Sequence, residues 1–383
     1  MLILSIDLGK YNSMCCFYNT KTEKAVYQKA ETSRRYLTAL MKSRKIDLVV
    51  LEACGPSGWI SDLCHELELK TLVCSTNDEA WQWSKVKRKT DKDDALKLAR
   101  MASLKGLSRV HVPAPEVREW RTLIKYRKSL SQRKTRIQNS IRALFANHGI
   151  EIDAGKRAWC NGRVRINEYR LPLSECKVEE LWRGELDLEL RQLDALDIDL
   201  EEVEKKLDAL ANSNPQVQRL LSIPGVGRKT AELLVATIDN AHRFKNGRQL
   251  SSYLGLVPKQ YQSGQMDRNG RITKRGNSLT RTILVECAWA SIRYNAWSKK
   301  TYERIRGGQS TRKKKAGIAL ARKIAVVAWA MMRDESEWQP EKIHRAWQER
   351  EDRIKVTQGP NTPPGPLRNR PKGSEKADRP IET

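Results

Sequence analysis

Four acidic residues stand where their surroundings would let them work together. Asp7 closes the run LILSID and Glu52 closes DLVVLE, so each carboxylate emerges from the end of a short apolar strand. A glycine follows each within three residues, Gly9 and Gly55, and allows a ligand to come close. Asp91 and Asp94 lie three apart in KTDKDDALKLAR, at the start of a helical pattern and hence on one face, with Lys89 and Lys92 adjacent. Taken singly, a strand ending in an acid is common, and the helix dipole favours acids in a first turn. Together, two strand ends and one helix start supply what a pair of hard cations requires: oxygen donors, near-octahedral geometry and open positions for phosphate and water. Mg²⁺ is the natural ion, with Mn²⁺ as the substitute. Asp93 falls about 100° around the helix from its neighbours and reads as a solvated bystander.

A second group of residues points to phosphate. LLSIPGVGRKTAELLVATI reads as a helix-hairpin-helix: Gly225 and Gly227 free the backbone to bend, so that turn amides and the next helix N-terminus can face a phosphate, with Arg228 and Lys229 adding charge. Such contacts position a duplex without reading its sequence. A tight turn that only packs two helices is the plainer alternative. Further on, a basic, Gly-punctuated loop between helices offers Arg268, Arg271, Lys274, Arg275 and Arg281 as phosphate clamps. Ser263, followed by Gly264 at the head of this loop, is either a nucleophile or a turn residue; chemistry alone favours the turn, since no adjacent histidine supplies a base.

The elements that must hold these residues follow from pattern. Residues 1–110 alternate apolar runs (LILSID, MCCFYN, KAVYQKA, DLVVLEA, KTLVCS) with helical stretches near 33–43 and 57–68. The first three strands come close together as a meander and the later ones are separated by helices, as in a ribonuclease-H-like α/β layer. Residues 111–215 form long helices. Val117, Trp120, Ile124, Ile137, Ile141 and Leu144 mark one helix over 116–148, and Leu186, Leu190, Leu193, Leu196, Leu200, Val203, Leu207 and Leu210 form a coiled-coil seam with one slip in register. That seam packs on 116–148 of the same chain, on a second copy, or on both. Between them 149–184, rich in Arg and Trp, reads as a loop insertion. Residues 216–340 make a second, mainly helical domain, and the Pro-rich, charged tail 355–383 has the composition of a disordered segment.

The bulk composition narrows the partners. Seventy-two Lys and Arg against forty-six Asp and Glu give a net charge of +26, which points to a polyanion, nucleic acid first. No stretch approaches the roughly 20 apolar residues of a spanning helix. The N-terminus reads directly as a strand rather than a leader, so the expectation is a cytoplasmic protein without membrane attachment. Eight cysteines at 15, 16, 54, 64, 74, 160, 176 and 287 form no CxxC pair and read as reduced thiols.

The order of SIDLGK, VVLEACG, KTDKDDA, IRALFANHGI, the coiled coil, SIPGVGRKTA, FKNGRQLSSYLGLVP, QSG and GRITKRGNSLTR resembles the DEDD transposases of the insertion-sequence 110 family, related to the Piv invertases. The likeness runs through almost the whole chain. It implies that Asp7, Glu52, Asp91 and Asp94 are the metal-binding DEDD set of a RuvC-like domain, and that Ser263 of QSG is the family's catalytic serine, with Ser251 and Ser252 as weaker candidates. It further implies donor and target DNA as substrates, a structured bridge RNA as guide, and homodimers that pair into tetramers. The insertion 149–184 and the tail look longer than the compact family pattern. Two rival readings use the same residues: a metal-dependent junction resolvase or nuclease with water as nucleophile, and a non-catalytic nucleic-acid-binding protein.

Overall fold

The computed structural model describes residues 1–75, 90–263 and 266–341; the Pro-rich tail read from the sequence lies outside them. The described residues divide into two compact units, one within 1–217, 228–243 and 277–280, the other within 218–227, 244–276 and 281–341.

The first unit opens on a five-stranded sheet. β1 (Leu2–Asp7), β2 (Asn12–Asn19) and β3 (Ala25–Glu31) form the expected antiparallel meander; after α1 (Arg34–Lys42), β4 (Leu48–Glu52) pairs parallel to β1, and after α2 (Ser57–Glu66), β5 (Thr71–Cys74) pairs parallel to β4. The order is β3-β2-β1-β4-β5. Alternation along the strands sorts the side chains into two cores. Leu4, Ile6, Phe17, Val49 and Leu51 face α1 and α2, with Leu37, Ile60 and Leu63. Ile3, Cys16, Val50 and Cys74 face α3 (Asp91–Ser103), which contributes Ala95, Leu98 and Ala99. Burial on both faces explains why β1 and β4 read as continuous apolar runs. Each fully buried Leu or Ile contributes about 1.5–3 kcal/mol.

A helical hairpin extends from this layer. α4 (Pro115–Asn147) starts with a proline at its first position and α6 (Leu181–Ser213) returns beside it; 33 residues make each about 50 Å long. Of the leucine seam of α6, Leu186, Leu190, Leu193, Leu196 and Leu207 are buried within the chain, while Leu200, Val203 and Leu210 are half-buried. Residues 149–184, read as a loop insertion, instead fold into a cap of short helices, including α5 (Arg163–Asn167). Ala158, Ile166, Trp159 and Tyr169 close over Ile141, Phe145, Leu186 and Leu190, and Arg163 and Arg170 bind Asp194 and Asp187 of α6. Two of the arginines that suggested a loop are thus counter-ions of the acidic helix.

α7 (Pro215–Leu221) leads through the SIPGVG turn to α8 (Arg228–Ile238), which belongs to the first unit. Arg127 of α4 forms a buried ion pair with Glu232, Arg121 donates to the carbonyls of Ala236 (2.6 Å) and Thr237 (3.1 Å), and His111 meets Asp239 at 2.6 Å. In the second unit, α9 (Gly247–Tyr253) and α11 (Ala296–Arg306) pack with α12 (Lys313–Arg333), and Trp289 of α10 (Ser278–Tyr294) lies 2.7 Å from where a Cβ on Gly317 of α12 would sit. The basic stretch expected as a loop is a two-stranded antiparallel ribbon, β6 (Pro258–Ser263) and β7 (Met266–Ile272). Among the described residues no helix is long and apolar enough to cross a membrane.

Candidate active site and nucleic-acid interface

The sheet brings two of the four acids level. Ile6 lies opposite Leu51 in the parallel β1–β4 pair, so the next residues, Asp7 and Glu52, end adjacent strands about 4.8 Å apart. Both continue the face that Ile3, Ser5 and Val50 turn toward α3. Both charges also act on one atom: burial raises the Cys54 thiol above its usual range, and Glu52 and then Asp7 push it the same way. The third acid comes from the helix across that face. Asp94 is buried in the first turn of α3, one residue before the Ala95 carbonyl that accepts a 2.5 Å hydrogen bond from Ser5 Oγ. Asp91 stands exposed one turn earlier, where α3 begins. Asp93, the expected bystander, belongs to the helix cap: Thr90 Oγ1 donates to its carboxylate at 2.6 Å and accepts from its amide at 3.3 Å.

In donor type this set suits a hard divalent cation: carboxylate oxygens only, gathered at the carboxyl end of two parallel strands. Among the described residues no three His, Cys, Asp or Glu side chains stand close enough to share one ion. Like charges repel, and a bound cation would offset that repulsion among the carboxylates.

Ser263 ends β6, exposed, where the ribbon turns. Arg268, opposite Tyr261, and Arg271, Lys274 and Arg275, toward the far end of the ribbon and the segment that follows, are exposed. A basic hollow of about 590 Å³ is lined by Lys259, Tyr261, Arg268, Arg271 and Lys274, together with Gly270, Ile272 and Thr273. Lys259 and Tyr261 were not singled out by sequence; their alternation with Ser263 along PKQYQS was the available signal. Arg281, expected as a clamp, also has backbone partners. Its guanidinium donates to the carbonyls of Arg275 (2.8 Å), Gly276 (2.9 Å) and Leu254 (3.4 Å), so it holds the loop that carries the other cations. Ser251 is buried and donates to the Gly247 carbonyl at 2.7 Å, while Ser252 is exposed on α9.

The two glycines of SIPGVG part ways. Gly225 has φ +88°, and a Cβ there would sit 2.6 Å from Ser291 Cα, so this glycine lets the turn press on α10. Gly227 is exposed and a Cβ there would meet nothing within 4 Å, which leaves its backbone open to a ligand. Arg228 and Lys229 pair with Asp208 (2.6 Å) and Glu204 (2.5 Å) of α6, although both cations remain substantially exposed.

A family model described as Transposase IS116/IS110/IS902 family matches residues 217–303, the stretch that holds the SIPGVG turn and Ser263, and the transposase model for the DEDD enzymes of IS110 matches residues 4–149, which hold all four acids. Over 341 residues the chain is 30% identical to the transposase for insertion sequence element IS1111A of Coxiella burnetii, spanning 86% of this chain and 89% of that protein. The chain belongs to the IS110 family of transposases. It is also 29% identical over 301 residues to a probable family 20 transposase of Pseudomonas aeruginosa (76% of this chain, 86% of that one). With the transposase for insertion sequence element IS1328 of Yersinia enterocolitica it shares 25% over 338 residues (86% and 96%). As an IS110-family transposase it is a DNA recombinase acting on DNA substrates, in a family whose DEDD set implies dependence on a divalent metal.

Proposed function

We propose that this IS110-family transposase excises and integrates its element by attack of Ser263 on a DNA phosphate, with Asp7, Glu52, Asp91 and Asp94 holding Mg²⁺ or Mn²⁺ and a structured bridge RNA choosing the donor and target sites. The observation that carries the reading is the level placement of Asp7 and Glu52 at one end of the sheet, on the face covered by the helix that bears Asp94. When bound, the metal supplies positive charge at the non-bridging phosphate oxygens. Ser263 gives up its proton, its Oγ bonds to phosphorus, the bond from phosphorus to the 3′-oxygen breaks, and that oxygen leaves as a hydroxyl. The phosphoserine keeps the energy of the broken diester, so the 3′-hydroxyl of another strand reverses the step without a high-energy cofactor. The exposed arginines and lysines of the ribbon serve as backbone contacts, which fits a division of labour in which RNA pairing reads sequence. Homodimers that pair into tetramers are the assemblies in which this reading places strand exchange.

The test is covalent trapping: full-length protein, the element's RNA, labelled donor and target DNA and Mg²⁺, resolved on a denaturing gel beside Ser263→Ala and Asp7→Asn. The expected result is a protein–DNA adduct formed only by the wild type. Cleavage that survives Ser263→Ala without any adduct would replace the serine mechanism with hydrolysis by water.

A further inference from the structure

The β6–β7 ribbon displays an aromatic ring that the serine chemistry does not use. Tyr261 is 50% exposed in the middle of a strand whose every residue is exposed, and a two-stranded ribbon has no core for it to join. The ring lies across Gly270 of the partner strand: a Cβ at Gly270 would sit 2.7 Å from Tyr261 Cε2 and 3.5 Å from Cδ2. Gly270 is absent from the residues with positive φ, so its backbone does not require glycine; its missing side chain is what lets the ring settle. A tyrosine can cover a cross-strand glycine for stability alone. Here, however, the ring forms part of the 590 Å³ hollow whose other lining includes Lys259, Arg268, Arg271 and Lys274, with no carboxylate among the described lining residues. That volume lies in the range of small-molecule sites.

We infer that Tyr261 is a stacking platform for one unpaired nucleobase, whose flanking phosphates the four surrounding cations hold. A duplex hides the faces of its bases, whereas a single strand offers them, and stacking on a ring tolerates any base. Ser263 follows two residues along β6 and so points to the same side of the ribbon, about 7 Å further on. A strand seated on Tyr261 is therefore presented beside the serine. The inference rests on the reading above that this ribbon handles nucleic acid during strand exchange.

The experiment uses full-length protein and short oligonucleotides carrying one 2-aminopurine, as single-stranded DNA, single-stranded RNA and blunt DNA duplex, with binding and base fluorescence measured over a salt series. Wild type should bind single strands and alter the base fluorescence; whichever of the DNA and RNA arms binds more tightly identifies the source of the strand. Tyr261→Ala should weaken single-strand binding about 5- to 150-fold and abolish the fluorescence change, leaving duplex binding and the salt slope unaltered. Tyr261→Phe should keep both signals. Gly270→Ala, which crowds the ring without removing it, should lose much of both. Single-strand binding by Tyr261→Ala equal to wild type, or an equal loss on duplex, would overturn the platform; so would Tyr261→Phe failing as badly as the alanine variant. Wild type that binds none of the three nucleic acids would instead defeat the reading of the ribbon as a nucleic-acid surface.

Discussion

Replacing Arg127 with methionine removes the cation from a fully enclosed ion pair. Arg127 of α4 is 5% exposed and Glu232 of α8 is 0% exposed, so Glu232 would be left in the interior without its counter-charge. Breaking such a pair from one side costs about 3–5 kcal/mol at neutral pH. The pH dependence gives the sharper signature. Burial raises the Glu232 carboxyl above its usual range, Arg127 opposes that, and Glu204 and Asp208 add to the rise. A raised folded-state value means the native state binds the proton more tightly than the unfolded chain, so this contribution is complete at low pH and is lost as pH climbs through the folded value. Without Arg127 the folded value rises further, and the stability of Arg127→Met should fall with pH by up to about 1.4 kcal/mol per unit. Urea denaturation near pH 5 and near pH 8 reads this directly, with the larger deficit expected at the higher pH. Because two apolar residues of similar volume can replace a buried pair at little cost, Arg127→Met with Glu232→Met should regain most of the loss. A single variant as stable as wild type at the higher pH, or a deficit equal at both, would refute the argument.

Two further predictions separate holding from binding. Arg281→Ala should lower stability by about 1.5–3 kcal/mol, because it frees three carbonyls from a charged donor, and should leave the salt slope of DNA binding unchanged; Arg271→Ala should do the reverse, reducing that slope by about one at near-normal stability. Thermal melts and a salt titration on both variants decide the matter. Gly225→Ala should lower the melting midpoint, since φ +88° and the contact with Ser291 cost about 1–3 kcal/mol or more, whereas Gly227→Ala should melt like wild type. Equal melts for the two would contradict the packing described for the turn.

The sheet was legible because burial on both faces leaves unbroken apolar runs, and a run that stops at an acid marks a strand end: Asp7 and Glu52 close β1 and β4 as read. The paired aspartates were legible as well, because a helix start is a local event. Three features escaped, one for want of a hydrophobic signal and two because their partners are distant in sequence. Every residue of β6 is exposed, so no period-two hydrophobic signal betrays that strand. The cap 149–184 reads as polar until its arginines meet α6. Glu232 sits in the apolar run ELLVATI like a surface interruption, and only Arg127, a hundred residues earlier, explains its burial. For Arg281 the three carbonyls its guanidinium holds were likewise not legible, because they belong to Leu254, Arg275 and Gly276 in the folded loop.

The helical hairpin also has a transverse polarity. α4 carries nine basic and two acidic residues and α6 ten acidic and four basic, so two rods lying side by side present opposite signs along their length. Near a polyanion such a pair experiences torque as well as attraction: the α4 edge, with Lys125, Lys128, Arg133 and Arg136 exposed, is drawn inward as the α6 edge is driven out. At about 3.4 Å per base pair, a 50 Å rod spans roughly fifteen. Such a charge difference would favour one orientation of the hairpin on DNA, weakened where α6 acids are paired with cations, and raising the salt should abolish the preference well before it unfolds the helices.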